Sequence, residues 1–453
     1  MKQKKAFFLA MVIFTFVVNG MAQEWPQYLG PTRNSVSEQK TLMPSWPETG
    51  PEVLWTAEVG IGFGGPVIKG GKAYLLDRDD KYGDIMRCFD MNTGKELWKF
   101  GYEAPGTVEF PGSRSVPVVD DSHVYSCGPN GNLYCFDVNT HQPVWNKNVW
   151  TDFGGKPASA ERGGFGEVGG FPMWAIAQCP LIYGNLLIIA SQAPQAGVVA
   201  YNKLTGEVVW KTASLGPFGY VSPSIAKIDG ENQIVMVTAS SGGWGGGAKE
   251  PSNMVGINPQ NGEVLWSYKN WSCWIPSSSA FDAGENKILI IGGYNSGAAM
   301  IQIEKSNGNY SVKELFKTAD FGDHTKPPLY YNGYFYAQFT TNERRDGLVC
   351  MSKNGQIMWK TKREPAFSKG SMILADGLIL ATDGETKLYL IQPDSTGFKP
   401  LATANILKES GMTGNDRVIG IVGTNQNWAP MALADGKLLI KGQRRLLCVK
   451  VAK

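Results

Sequence analysis

Five segments of the 453-residue chain can be laid over one another. "RCFDMNTGKELWKF" carries Trp98, "YCFDVNTHQPVWNK" Trp145, "VVAYNKLTGEVVWKT" Trp210, "VGINPQNGEVLWSY" Trp266 and "LVCMSKNGQIMWKT" Trp359. Each is an apolar strand, a turn rich in Asn, Thr and Gly, and a second strand that includes the Trp, which is the pattern of an antiparallel hairpin. A further hairpin stands before these, as in "PVIKGGKAYLLD", "VPVVDDSHVYSCG", "PLIYGNLLIIA" and "MILADGLILATD". The unit is four strands over about 50 residues, and that period belongs to propellers.

Two units are degenerate: "MIQIEKSNGNYSVKELFK" puts Phe316 in the Trp position, and "LYLIQPDSTGFKPLATA" keeps only the hairpin. Innermost strands starting near Pro66, Val116, Pro180, Pro223, Ser278, Pro327, Gly370 and Pro430 give eight blades. The last unit stops at "RRLLCVKVAK" without its Trp strand, whereas "GPEVLWTAEVG" (residues 50–60, with Trp55) has a Trp strand and nothing before it. The fold class expected is therefore all-β: an eight-bladed β-propeller of four-stranded antiparallel blades, in which residues 52–60 complete the C-terminal blade. Closure of this kind removes the open sheet edges that a linear array would expose.

The division expected is a signal peptide over 1–22, an extended segment over 23–50 and the propeller over 51–453. Lys2, Lys4 and Lys5 precede the apolar run Ala6 to Val18, and Gly20-Met21-Ala22 supplies small residues for cleavage before Gln23. That run is too short to span a bilayer, which needs about 20 residues. No Cys follows it as a lipoprotein anchor would need, and no later membrane span is seen. Export is thus expected, to the periplasm or outside the cell. The formal charge of +3 resides in the three leader lysines. A mature chain so balanced does not favour nucleic acid or an anionic membrane as its main partner. Of the seven cysteines, Cys88, Cys135, Cys350 and Cys448 share one repeat position, which reads as a small buried slot rather than a disulfide framework.

The stretch Asp90-Met-Asn-Thr93-Gly94-Lys-Glu-Leu-Trp98, with Asn202–Trp210 and Asn258–Trp266 as variants, resembles the repeat of the pyrroloquinoline quinone (PQQ)-type propeller superfamily. The opening "EWPQYLGPTRNSVSE" also resembles the N-terminal stretch of exported members. The resemblance implies that Trp55, Trp98, Trp145, Trp210, Trp266 and Trp359 are scaffold, docking one blade on the turn of the next. Members include quinoprotein dehydrogenases, which hold PQQ with calcium, and the assembly lipoprotein BamB, so fold alone does not decide function.

A propeller's ligand site is usually the mouth of its channel, reached by the loops that lead into each innermost strand. In blade order these loops offer Phe63, Arg114, Trp174, Tyr220, Trp274, then Asp323 with His324 and Lys326, then Lys369 and Trp428. Arg114, Trp174, Tyr220, Trp274, His324, Lys326, Lys369 and Trp428 are the candidate ligand-binding residues. Aromatic faces with cations suit a planar anion, a sugar or a peptide. The competing reading is that the same side chains plug the channel. Long irregular stretches add Glu161, Arg162, Glu167 and Trp244 as residues of a lid or partner surface.

Catalytic signals are sparse. No adjacent Cys pair is present, and "SCWIPSSS" has no carboxylate where the resemblance to quinoproteins implies an Asp base. Arg114 resembles a cofactor-contacting arginine of those enzymes. "CxxCH" and "GxSxG" are absent, and the three histidines lack metal-ligand spacing. The leading expectation is an exported monomeric binding module or scaffold for a protein, a glycan or a small anionic ligand. The alternative is a divergent PQQ- and calcium-dependent alcohol or sugar dehydrogenase.

Overall fold

The computed structural model describes residues 23–106, 110–158, 170–242, 250–340, 344–408 and 426–453. Its strands form eight sheets, in each of which consecutive strands of the chain lie side by side. Blade 1 is Val67–Lys69, Lys72–Asp79, Gly83–Asp90 and Glu96–Glu103, and blades 2 to 7 repeat this order around the ring. Blade 8 contains Ala432–Ala434, Lys437–Lys441 and Arg445–Lys450, and its fourth strand is Val53–Glu58 from the other end of the chain. That strand pairs antiparallel with Arg445–Lys450, Trp55 facing Cys448 and Glu58 facing Arg445. The Trp strand absent from the C-terminus is supplied by the N-terminus, as expected.

One irregularity recurs in every blade. Immediately before the Trp position the register slips by one residue, passing over Leu54, Leu97, Val144, Val209, Leu265, Leu315, Met358 and Leu401. The bulge accommodates the extra residue and re-aims the next side chain. Leu97, Val144, Val209, Leu315, Met358 and Leu401 are accordingly exposed, while Trp55, Trp98, Trp145, Trp210 and Trp266 are buried.

The re-aimed ring packs over a small residue on the adjacent strand: Cys448, Cys88, Cys135 and Cys350 lie opposite Trp55, Trp98, Trp145 and Trp359. Ala200 and Gly256 take the same place beneath Trp210 and Trp266. All seven cysteines are buried free thiols, so the shared position is a packing slot. Burial above all pushes the Cys88, Cys135, Cys350 and Cys448 thiols up to about 12, which leaves them unreactive at neutral pH.

From that slot the Trp rings reach the next blade. The indole N–H groups of Trp55, Trp145, Trp210 and Trp359 donate to the carbonyls of Met91, Lys203, Pro259 and Asp394. Trp98 instead stacks on the His141 ring at 5.0 Å, and Phe316 lies against Gly355. Trp266 departs from the expectation: its N–H donates to Gln233 Oε1 of its own blade at 2.7 Å. The reason is the neighbouring hairpin, Gly297–Ser306 with Asn309–Thr318, whose ten-residue strands carry the turn outward, beyond Trp266. Nothing lies within 4 Å of where a side chain on its turn residue Gly308 would begin.

Residues 24–43 form a strap across the inner strands. Trp25 bridges Ile68 of blade 1, and Pro26 accepts from the Val119 N–H of blade 2. Arg33 donates to the carbonyls of Pro180 and Pro223, at the entries to blades 3 and 4. Val36–Ser37 then pairs in parallel with Leu374–Ala375 of blade 7, and Leu42 bridges Ala452 of blade 8. The extended segment therefore ties together six blades and occupies the channel. The leader residues, with Glu161, Arg162, Glu167 and Trp244, lie outside the described residues.

Candidate functional site at the channel mouth

Above the strap the interstrand loops enclose a cavity of about 330 Å³, lined among others by Tyr28, Phe63, Phe110, Arg114, Trp174, Tyr220, Tyr294, His324, Lys326, Lys369 and Trp428. Its size falls in the range of small-molecule pockets, about 300–1,000 Å³. Seven of the eight candidates read from the sequence line it. Trp274 stands behind them, its ring meeting Trp174 edge-on at 6.4 Å, while its neighbours Ile275 and Ser277 form the wall.

Blade order sorts the lining by chemistry. Phe63, Phe110 and Trp428 from blades 1, 2 and 8 form one aromatic wall, with ring centres 5.3–6.1 Å apart. Trp174 and Tyr220 of blades 3 and 4 form the other, in edge contact at 5.6 Å. Between the walls lie the cations: Arg114 on blade 2, and Lys326 with Lys369 on blades 6 and 7. In a ring of eight, blades 2 and 6 are opposite by position, so the lining draws positive charge from both sides of the ring.

Each cation is positioned by its loop. The loops of blades 1 and 2 are joined where Phe63 N–H and Gly64 N–H donate to the Ser113 carbonyl, and Arg114 Nη2 donates to the Phe110 carbonyl. Lys326 Nζ donates to the Lys369 carbonyl at 2.9 Å and to Thr325 Oγ1 at 3.2 Å, which joins blades 6 and 7. Lys369 Nζ lies 4.3 Å from the centre of the Trp428 ring, a cation–π contact.

Burial governs the electrostatics. It holds Lys326 and Lys369 down at about 8, with Lys369 adding to the depression at Lys326. Burial also raises Asp323 to about 6, against the pull of Lys326 and of the Thr325, Lys326 and Gln338 N–H groups that its carboxylate accepts. His324 is kept neutral by burial and by the two lysines. Asp323, although read beside the mouth, is buried beneath it and its oxygens are engaged by backbone.

Tyr28, Phe110, Tyr294 and Cys179 line the cavity without having been singled out from sequence. Phe110 and Tyr294 carry left-handed backbone, φ 60° and 55°, which no composition rule marks. Tyr28 arrives through the strap, whose path across the channel has no sequence period.

The family profile described as outer membrane protein assembly factor BamB, a PQQ-like repeat family, matches residues 81–309. The chain belongs to this BamB-type PQQ-repeat family. Among solved structures it is similar to quinohemoprotein alcohol dehydrogenase from Comamonas testosteroni, with a TM-score of 0.62 and 12% identity, covering 95% of this chain and 80% of that one. A europium-containing methanol dehydrogenase gives 0.60 at 11% identity, covering 92% and 89%. BamB from Moraxella catarrhalis gives 0.54 at 11% identity, covering 88% of this chain and all of the other. At such identities the likeness is one of fold. No curated protein matches the sequence. No described helix is long and apolar enough to cross a membrane.

The PQQ-repeat fold raises the question of PQQ with calcium. Calcium takes six to eight oxygen ligands, chiefly carboxylates. Among the described residues the cavity lining contains no Asp or Glu, and its charged groups are Arg114, Lys326 and Lys369. These residues fit the acid groups of a planar organic anion and do not fit the metal.

Proposed function

We propose that this propeller is an exported binding module that takes a small, planar, acid-bearing ligand at its channel mouth. The observation that carries the reading is that Arg114, Lys326 and Lys369 line one cavity together with Phe63, Trp174, Tyr220 and Trp428. Rings in the ligand would lie between Trp428 with Phe63 on one side and Trp174 with Tyr220 on the other. Acid groups at its two ends would meet the cations. A half-open cavity of about 330 Å³ is of the size that takes a small molecule. Lys326 and Lys369 at about 8 remain largely protonated at neutral pH, where an anion needs them.

PQQ itself belongs to this ligand class and is the molecule through which the dehydrogenase alternative would act. Redox chemistry would be supplied by the quinone, while Arg114, Lys326, Lys369 and the aromatic walls would hold and orient it. Export rests on the leader-like residues 1–22.

Tryptophan fluorescence titration with naphthalene-2,6-dicarboxylate tests the reading. Saturable quenching is expected, weakened about tenfold or more in K326M and in R114M, since a charge-assisted hydrogen bond contributes about 1.5–3 kcal/mol. Absence of saturable binding by this and other planar dicarboxylates would remove the proposal. Dye reduction across alcohols and sugars with added PQQ separates a binding module from a dehydrogenase.

A further inference from the structure

We propose that Lys369 is a covalent ligand-capturing residue, forming a reversible imine with an aldehyde or ketone on the planar acid held in the cavity. The inference rests on the binding reading above and narrows its ligand class to carbonyl-bearing aromatic acids. The two cavity lysines are held differently. Lys326 is only 7% exposed and its amine is tied to the Lys369 carbonyl and Thr325 Oγ1. Lys369 has no hydrogen-bond acceptor or ion-pair partner for Nζ among the described residues, and its nearest partner is the Trp428 face. Its backbone is left-handed, φ 61°, an uncommon conformation for a side chain of this length. The carbonyl of that same residue accepts the Lys326 amine, so the loop is held in the conformation that presents Lys369 to the lining.

A lysine becomes a nucleophile when an apolar pocket or a neighbouring cation favours its neutral amine. Trp428 and Phe63 supply the first condition, and burial holds the Lys369 amine down against the pull of Asp323. Its position at about 8 leaves roughly one amine in ten unprotonated at pH 7. The His324 imidazole, kept neutral by burial and by both lysines, adds no charge beside the amine, and the ammonium proton goes to solvent. In the addition, the Lys369 nitrogen lone pair forms a bond to the carbonyl carbon while the π pair moves to oxygen. Nitrogen gives up its two protons in turn to that oxygen, and water leaves as the C=N bond forms. Amine and carbonyl become imine and water, with no oxidant or reductant required.

The test uses 6-formyl-2-naphthoate, a planar acid with an aldehyde, against naphthalene-2,6-dicarboxylate, in which a second carboxylate replaces it. The purified protein is incubated with the aldehyde, reduced with borohydride and digested with trypsin. Modification blocks cleavage at Lys369 and yields the peptide 364–387. The expected result is about one adduct per chain, on Lys369, at about tenfold the occupancy of any other lysine and suppressed by the dicarboxylate. K369R should abolish that adduct, because the nucleophilic amine is lost, and dicarboxylate titration of the same variant checks that the cavity still binds. Saturable dicarboxylate binding with Lys369 left unmodified, or with the adduct on Lys326 or spread over surface lysines, would overturn the imine and leave the binding site standing. Failure of both compounds to bind would overturn the binding reading and this inference with it.

Discussion

Replacing Trp55 by alanine should cut the ring at its closure, because this one side chain joins the N-terminal strand to blade 8 and then to blade 1. The ring is 7% exposed, sits opposite Cys448, and its N–H donates to the Met91 carbonyl at 3.0 Å. Truncating a buried aromatic to alanine costs about 3–5 kcal/mol, and the lost hydrogen bond about 1 more. The partner substitution Gly94→Ala places a methyl 2.5 Å from the Trp55 ring at a backbone φ of 70°, so it carries both a clash and a backbone cost. Gly308→Ala is the internal control, with φ 81° and open space, and should cost only the backbone part, about 1–2 kcal/mol. Urea unfolding of the single and double variants gives the coupling. Gly94→Ala should be more damaging than Gly308→Ala by about 1–3 kcal/mol, and that excess should vanish in the Trp55→Ala background. Equal costs for the two glycines, or a Trp55→Ala cost within about 1 kcal/mol of zero, would refute the docking argument.

Other outcomes follow from the same contacts. Cys88→Leu should overfill the slot beneath Trp98 and cost about 1–3 kcal/mol in urea unfolding, with Cys88→Ala milder. Arg33→Ala should remove the strap's bonds to Pro180 and Pro223 and speed amide exchange over residues 24–43, while the outer strands stay protected. Anion affinity at the mouth should fall as pH rises through about 8, where Lys326 and Lys369 lose their charge, and should gain as pH falls through about 6, where Asp323 becomes neutral. Stability should run in a related way. With its folded value raised, Asp323 makes the protein less stable as pH rises from about 4 to 6. With theirs depressed, the lysines make it more stable as pH rises from about 8 to 10. Unfolding midpoints in urea across that range check both signs.

What could be read from the chain was whatever the repeat enforces. A Trp strand with no predecessor and a third strand with no successor determine the closure, since each is stable only when paired with the other. The loop residues ahead of each inner strand occupy equivalent places in the ring, which is why seven of eight candidates meet in one cavity. Features outside the period were not legible. The strap brings Tyr28 and Arg33 into the channel through contacts with six different blades. Trp266 turns back on its own blade because a neighbouring hairpin is longer, which the Trp motif alone does not reveal. Trp274 has the right position in its loop, but its ring meets Trp174 edge-on and the wall is formed by Ile275 and Ser277.

The most direct test of the channel-mouth site is isothermal titration of the protein with PQQ, once in calcium and once in EDTA, repeated with K326M/K369M. A cavity that meets acid groups with Arg114, Lys326 and Lys369 predicts saturable binding that is the same with and without calcium and at least about tenfold weaker in the double variant. Binding that requires calcium, or that is indifferent to losing both lysines, would contradict it.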